Sequence, residues 1–144
     1  MTVKPEDIPV QELIPHRRPM IMIDALLEAS PERGVAAKTF RRQDYGLDGD
    51  VVCETALVEC VAQTTAALFG YHRLSNSGEA GLGFLAALSS FAFSRRPSVN
   101  EPLRIEAQVV RSFGAMWIVK GRVLSGGELV AWGEIKIYMQ NEKI

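Results

Sequence analysis

Residues Val51–Leu74 read VVCETALVECVAQTTAALFGYHRL. Drawn as a helix, the stretch is apolar on nearly all sides, and such a helix belongs inside a protein. Glu59 nevertheless stands in its middle, with Gln63 one turn later. A carboxylate in that setting is costly to bury unless it is paired, protonated or put to use. Something must therefore wrap the helix, and Glu59 needs a role inside the wrapping.

The flanks supply the wrapping. Downstream, Leu82–Ser94 carries the small and aromatic residues of a strand, and Pro97–Pro102 reads as a turn. Leu103, Ile105, Ala107 and Val109 then alternate with Arg104, Glu106 and Gln108, the pattern of a half-buried strand. Ala115–Leu124 and Leu129–Met139 read as two more, joined by the hairpin signal Ser125-Gly126-Gly127. In the last of them Leu129, Ala131, Ile135 and Ile137 share one face, and Glu134 and Lys136 the other. Upstream, Pro19–Ser30 (PMIMIDALLEAS) has a β-rich start that suggests a strand, while Ala25–Ala29 alone also suits a helix. Pro31–Gly34 is a turn and Val35–Arg42 a second strand, together a hairpin. A short helical turn is expected around Val10–Leu13. Gln43–Asp50 reads as a polar loop, with Asp50 as N-cap and Glu54 as an early acid favoured by the helix dipole. The helix is expected to end near Ser75-Asn76-Ser77-Gly78.

The order is strand, strand, long buried helix, four strands. It predicts an α+β domain spanning residues 1–144, with one antiparallel sheet curled around one helix. Such a sheet keeps a free edge and leaves one flank of the helix uncovered. Pairing of two copies addresses both, so a homodimer is expected.

Composition narrows the function classes. A formal net charge of −1 argues against a nucleic-acid binder. The start MTVKPEDIPV lacks the order of a signal peptide, and no apolar run approaches the ~20 residues of a membrane span. Cys53 and Cys60 lie on one helix, roughly 10 Å apart along its axis and too far for a disulfide. A cytoplasmic protein with reduced thiols that serve packing is the expectation. His16 and His72 stand in no Cys/His cluster, so neither a metal nor another cofactor is expected. Arginine comes in the doublets Arg17-Arg18, Arg41-Arg42 and Arg95-Arg96. These suit a phosphate or acidic partner, or simply solvated strand ends.

Three segments in order resemble the hot-dog-fold 3-hydroxyacyl-acyl carrier protein dehydratases of bacterial fatty acid synthesis. Ile14-Pro15-His16-Arg17-Arg18-Pro19-Met20 with Ile21-Met22-Ile23-Asp24 is similar to that family's LPHRYPF-LLVD opening. Leu57-Val58-Glu59-Cys60-Val61-Ala62-Gln63 resembles its ILEAMAQ helix. Phe84-Leu85-Ala86-Ala87-Leu88 with Phe91, Phe93 and Arg95-Arg96-Pro97 resembles its LAG…ARFKRPV strand. The resemblance implies a hot-dog fold, a lyase acting on 3-hydroxyacyl thioesters, and an acyl carrier protein with its phosphopantetheine-linked chain as partner. It implies a homodimer or larger homo-oligomer, or a heterodimer with a related dehydratase.

It also implies roles. In those enzymes the helix carboxylate works with a histidine of the partner subunit, in a loop of the type H-F-P-G, fourteen positions upstream. Here that position is Tyr45, in Tyr45-Gly46-Leu47-Asp48-Gly49-Asp50. The chain is most similar to the branch lacking that loop, found in aryl polyene and other specialised lipid pathways. Dehydration needs a base for the α-proton and an acid for the leaving hydroxyl. Histidine titrates near neutrality and suits the first role, whereas tyrosine, with a reference pKa of about 10, is a donor rather than a base. Glu59 is the candidate acid or sole acid/base, with burial expected to favour its protonated form. Gln63 and Thr55 are its expected support along one helix stripe. Tyr45 is a candidate substrate contact, and His16 either ties down the segment before the first strand or replaces the absent histidine. Ala87, in place of the family's glycine, offers a backbone N–H to the thioester. Ala86, Phe91 and Phe93 would line an acyl channel, and Arg17, Arg18, Arg41, Arg42, Arg95 and Arg96 would meet the carrier. His72 is expected to favour the helix C-terminal dipole. The alternatives are a non-catalytic subunit completing a partner's site, and a hot-dog thioesterase in which Glu59 activates water.

Overall fold

In the computed structural model, which describes residues 3–76 and 82–140, the chain enters through a tight turn at Pro5–Asp7 and one helical turn, α1 (Val10–Leu13). Strands β1 (Ala25–Ala29) and β2 (Arg33–Thr39) form a hairpin. A small two-stranded ribbon, β3 (Leu47–Asp48) and β4 (Val51–Val52), precedes the long helix α2 (Glu54–Asn76). Four strands follow: β5 (Leu82–Phe93), β6 (Pro102–Phe113), β7 (Met116–Ser125) and β8 (Glu128–Gln140).

Six strands make one antiparallel sheet in the order β1-β2-β6-β7-β8-β5. Its inner face wraps α2. Leu57, Cys60, Val61, Ala67 and Leu68 of the helix are completely buried, and so are Ala36, Ile105, Val119 and Ile135 of the sheet. Each fully buried Leu, Ile or Val contributes about 1.5–3 kcal/mol, so the helix is stabilised by its wrapping rather than by local propensity. The alternation in β6 follows the expected phase: Leu103, Ile105, Ala107 and Val109 point inward. On the outer face the carboxylate of Glu106 is met by Arg104 of its own strand and by Arg33 and Arg122 of the two neighbouring strands, β2 and β7.

Glycine sets two close approaches. A side chain at Gly121 of β7 would run into Val61, two residues from Glu59 on the helix. One at Gly70 would land on the backbone carbonyl of Leu13, so α1 packs directly on α2. The β7–β8 turn uses Gly126 (φ 54°) and Gly127 (φ 84°), the two left-handed residues that a tight hairpin of this hand needs.

Several local readings are corrected. The strand in the Pro19–Ser30 stretch is Ala25–Ala29, while residues 14–24 form a lead-in outside the sheet, with a turn closed by the Met20 N–H on Arg17 O at 2.8 Å. The second strand begins at Arg33 and ends at Thr39. The helix begins at Glu54, because Val51 and Val52 are taken by tertiary pairing, with Val52 N–H donating to Pro97 O at 2.8 Å. Cys53 therefore precedes the first turn, and Asp50 pairs with Arg42 at 2.8 Å instead of capping. The helix runs to Asn76; Ser77 and Gly78 lie outside the described residues, as does Gly81. His72 is held by the Ser30 carbonyl, 2.8 Å from Nε2, which fixes the helix to the end of β1.

Candidate active site

The lead-in lies along α2, and Gln63 fastens it there. Gln63 is 1% exposed. Its Oε1 accepts the Met22 N–H at 2.7 Å, and its Nε2 donates to Met20 O at 2.8 Å and to Glu59 Oε1 at 2.9 Å. An extended segment presents N–H and C=O two residues apart on one side, so one amide can answer both. The Cys60 thiol adds a bond to Met22 O at 3.1 Å. Burial pushes that thiol's pKa far up, helped by Glu59 and Asp24 and opposed by the Lys38 ammonium. Cys60 is an uncharged packing and hydrogen-bonding group, as expected.

His16 is brought to Glu59 by this clamp. Its Nε2 lies 3.7 Å from Glu59 Oε1, within one chain. About a third of each side chain remains accessible, 33% for His16 and 31% for Glu59. The separation exceeds a hydrogen bond, so each group keeps polar atoms free to meet another partner. His16 Nδ1 is buried with no hydrogen-bond partner among the described residues. Arg17 folds back to donate to the carbonyls of Ile14, Pro15 and His16 at 3.1, 3.3 and 2.7 Å, which fixes the turn presenting the imidazole.

The other expected residues are dispersed. Glu59 is half-buried rather than sealed in the core. Thr55 is exposed on the first turn of α2, so the polar seam consists of Glu59 and Gln63. Tyr45 is 56% exposed, on a loop docked just after it: Gly46 O accepts the Cys53 N–H at 2.8 Å. Ala86 and Ala87 are exposed on β5, the sheet edge, where the register with β8 shifts between Leu85 and Ala87. Phe91 and Phe93 are half-buried and stack with ring centroids 5.5 Å apart. A cavity of about 560 Å³ lies elsewhere, lined by Val3, Asp7, Ile8, Glu12, Tyr71 and Leu74. Tyr71 is roughly 18 Å along the helix axis from Glu59. Most of the arginines engage their own chain: Arg41 with Asn100, Arg42 with Asp50, Arg96 with Asp48, and Arg95 with both Glu101 and Glu128. Arg18 is exposed.

One polar cluster was missed at the sequence level. Lys38 is 4% exposed, on the inner face of β2 opposite Leu103. Its Nζ lies 3.4 Å from Asp24 Oδ1, 3.5 Å from Asp44 Oδ2, and 4.8 Å from the centre of the Phe40 ring. The signal was present: Lys38 is in phase with the apolar Ala36 and Phe40 along an alternating strand.

An antiparallel sheet curled around one long central helix is the hot-dog architecture. Residues 8–144 match the model of the ApeP-like family, described as ApeP dehydratase, and the chain belongs to that family. A 3-hydroxyacyl-[acyl-carrier-protein] dehydratase FabZ of Acetivibrio thermocellus is 30% identical over 139 residues, covering 92% of this chain and 93% of the relative. A FabZ of Streptococcus equi subsp. zooepidemicus is 28% identical over 131 residues, covering 88% and 91%. The dehydratase heterocomplex ApeI:P from Xenorhabdus doucetiae has a similar chain, with a TM-score of 0.87 at 19% identity, covering 94% of this chain and 93% of that one. Among the described residues no helix is long and apolar enough to cross a membrane.

Proposed function

We propose that this chain dehydrates 3-hydroxyacyl thioesters carried on acyl carrier protein, and that His16 and Glu59 do the chemistry. Family membership and the named activity of the FabZ relatives support the reaction class. The observation that carries the residue assignment is the 3.7 Å approach of His16 Nε2 to Glu59 Oε1 in a chain whose loop offers tyrosine in place of histidine.

The neutral imidazole takes the α-proton on Nε2, and protonated Glu59 delivers a proton to the β-hydroxyl. The α-C–H and β-C–O bonds break, the double bond forms between the two carbons, and water leaves. Both fixed contacts of Glu59 fall on Oε1, so Oε2 is the oxygen that carries the proton to substrate. General acid–base catalysis of this kind contributes typically 10²–10⁴-fold per group.

The acyl chain runs against the β5 side of the helix, beside Phe91 and Phe93. That side is completed by a second subunit, a copy of this chain or a related dehydratase. Two observations support the assembly: β5 is a sheet edge, and it exposes Leu85 and Leu88 at 43% and 54%.

The test is conversion of 3-hydroxyacyl carrier-protein substrates to enoyl products by the purified protein, alone and with a related dehydratase chain. Wild type should turn over and Glu59→Gln should not. Equal background rates in both would overturn the reading, and release of free thiol without enoyl product would identify a thioesterase.

A further inference from the structure

We propose that Lys38 is a positioning residue that ties the His16-bearing lead-in to the Tyr45 loop through a single buried ammonium. A buried lysine is costly unless its charge is paired and its donors are used. Here the pairing partners do not come from the strand that carries it. Asp24 closes the lead-in, two residues beyond Met22, which Gln63 and Cys60 both hold. Asp44 immediately precedes Tyr45.

Each carboxylate is anchored to backbone by its second contact or atom. Asp24 Oδ2 accepts the Thr39 N–H at 2.8 Å, and the Asp24 N–H donates to Ala37 O at 2.8 Å. Asp44 Oδ2 also accepts the Arg41 N–H at 2.8 Å, and the Asp44 N–H donates to Arg41 O at 2.9 Å. Lys38 thus links the end of the lead-in, already bonded to β2, with the preformed Arg41–Asp44 turn. On its far side the Tyr45 loop is held by Gly46, which sits so close to Ala56 of α2 that a side chain there would collide with it. The ammonium and the helix grip the loop from both sides, and Tyr45 projects between the two grips. Removing the cation leaves two carboxylates within reach of one point, and their repulsion drives the two segments apart.

Backbone hydrogen exchange tests this on the intact protein without any assumption about its reaction. In Lys38→Met, peptides covering residues 20–24 and 40–53 should exchange at least tenfold faster than in wild type, while a peptide in 116–125 should not change. Asp44→Asn, which leaves Lys38 with Asp24, should loosen 40–53 and spare 20–24. The second variant keeps the test decisive if Lys38→Met fails to fold. Unchanged exchange of 40–53 in Asp44→Asn, or loosening spread equally over all three peptides, would overturn the proposal.

The kinetic arm rests on the dehydratase reading given above. In folded Lys38→Met, kcat should fall 10–100-fold with KM within threefold, and Lys38→Arg should recover part of the loss. A proportional loss of active protein with kcat per folded molecule unchanged would refute the link to the site. If wild type shows no dehydration, that reading falls, and the exchange pattern alone decides the role of Lys38.

Discussion

His16 and Glu59 approach to 3.7 Å inside one chain, although 43 positions separate them in sequence. The loop position that the family resemblance pairs with the helix carboxylate is Tyr45, 56% exposed on this chain's surface. Two side chains therefore compete for the role opposite Glu59, and they are separable by mutation. With His16 as the base, His16→Asn should lower kcat about 10²–10³-fold without unfolding the protein. Tyr45→Phe, which removes only a hydroxyl, should cost less than tenfold. The reverse order of effects in steady-state dehydration assays would transfer the role to Tyr45.

Gln63 holds this geometry and should be felt in stability as well as rate. Gln63→Leu keeps the volume but leaves the Met22 N–H and the Met20 carbonyl without their partner. Each buried polar group left unsatisfied costs about 1–3 kcal/mol, so a loss on the order of 2–4 kcal/mol is expected by urea denaturation. Gln63→Glu should be worse for activity than for folding. It keeps an acceptor for Met22 but sets a second carboxylate beside Glu59, where like charges cannot both ionise cheaply. A Gln63→Leu variant as stable as wild type would mean that the lead-in is held elsewhere.

The helix and its wrapping were legible because burial imposes local patterns. Apolar residues on all sides of Val51–Leu74 announced a central helix, and the alternation from Leu103 to Val109 announced a half-buried strand. Errors fell where tertiary contacts overrode local preference. Val51 and Val52 continue the apolar pattern of the helix, yet they pair with Asp48 and Leu47 in a ribbon and bond to the Pro97–Ser98 segment, which moves Asp50 off the cap. Pro19–Ser30 reads as the first strand, but only Ala25–Ala29 pairs with β2, because Gln63 and Cys60 hold Met20 and Met22 instead. The site was half legible. Glu59 and Gln63 share a helix face and were found together. The approach of His16 was offered only as one alternative, because it depends on backbone groups of Met20 and Met22 meeting Gln63, and no side-chain pattern encodes that. Lys38 was legible from its strand phase, but its two acidic partners are not local to it.

Gly70 tests the packing that delivers the lead-in. Substituting alanine in a helix interior normally gains up to about 1 kcal/mol. Here the added carbon would land on the Leu13 backbone carbonyl, which no rotamer change can relieve. Overpacking of this kind costs about 1–3 kcal/mol, so the clash should outweigh the propensity gain and displace α1. Gly70→Ala should lower the urea midpoint and reduce kcat, because α1 leads directly into Pro15 and His16. An unchanged or raised midpoint would show that α1 is only loosely seated.

Acid should weaken the fold through Glu101. The Arg95 guanidinium, together with Ser125 and the Ser98 N–H, holds this carboxyl at about 2, against an ordinary value of 4.5, although burial works the other way. A carboxyl whose folded pKa is depressed binds protons more readily when unfolded. Its contribution is therefore complete above about 4.5, and declines as pH falls from there toward 2. Glu101 joins the start of β6 to the β7–β8 turn through Ser125 and to Arg95, which also reaches Glu128. Arg95 is partly exposed, so screening holds the gain to on the order of 2 kcal/mol. Stability measured by urea denaturation from pH 7 to pH 3 should fall more steeply in wild type than in Glu101→Gln. The variant should start lower at pH 7, with the two curves converging at the acid end. Parallel curves across that range would show that the acid sensitivity belongs to other carboxylates.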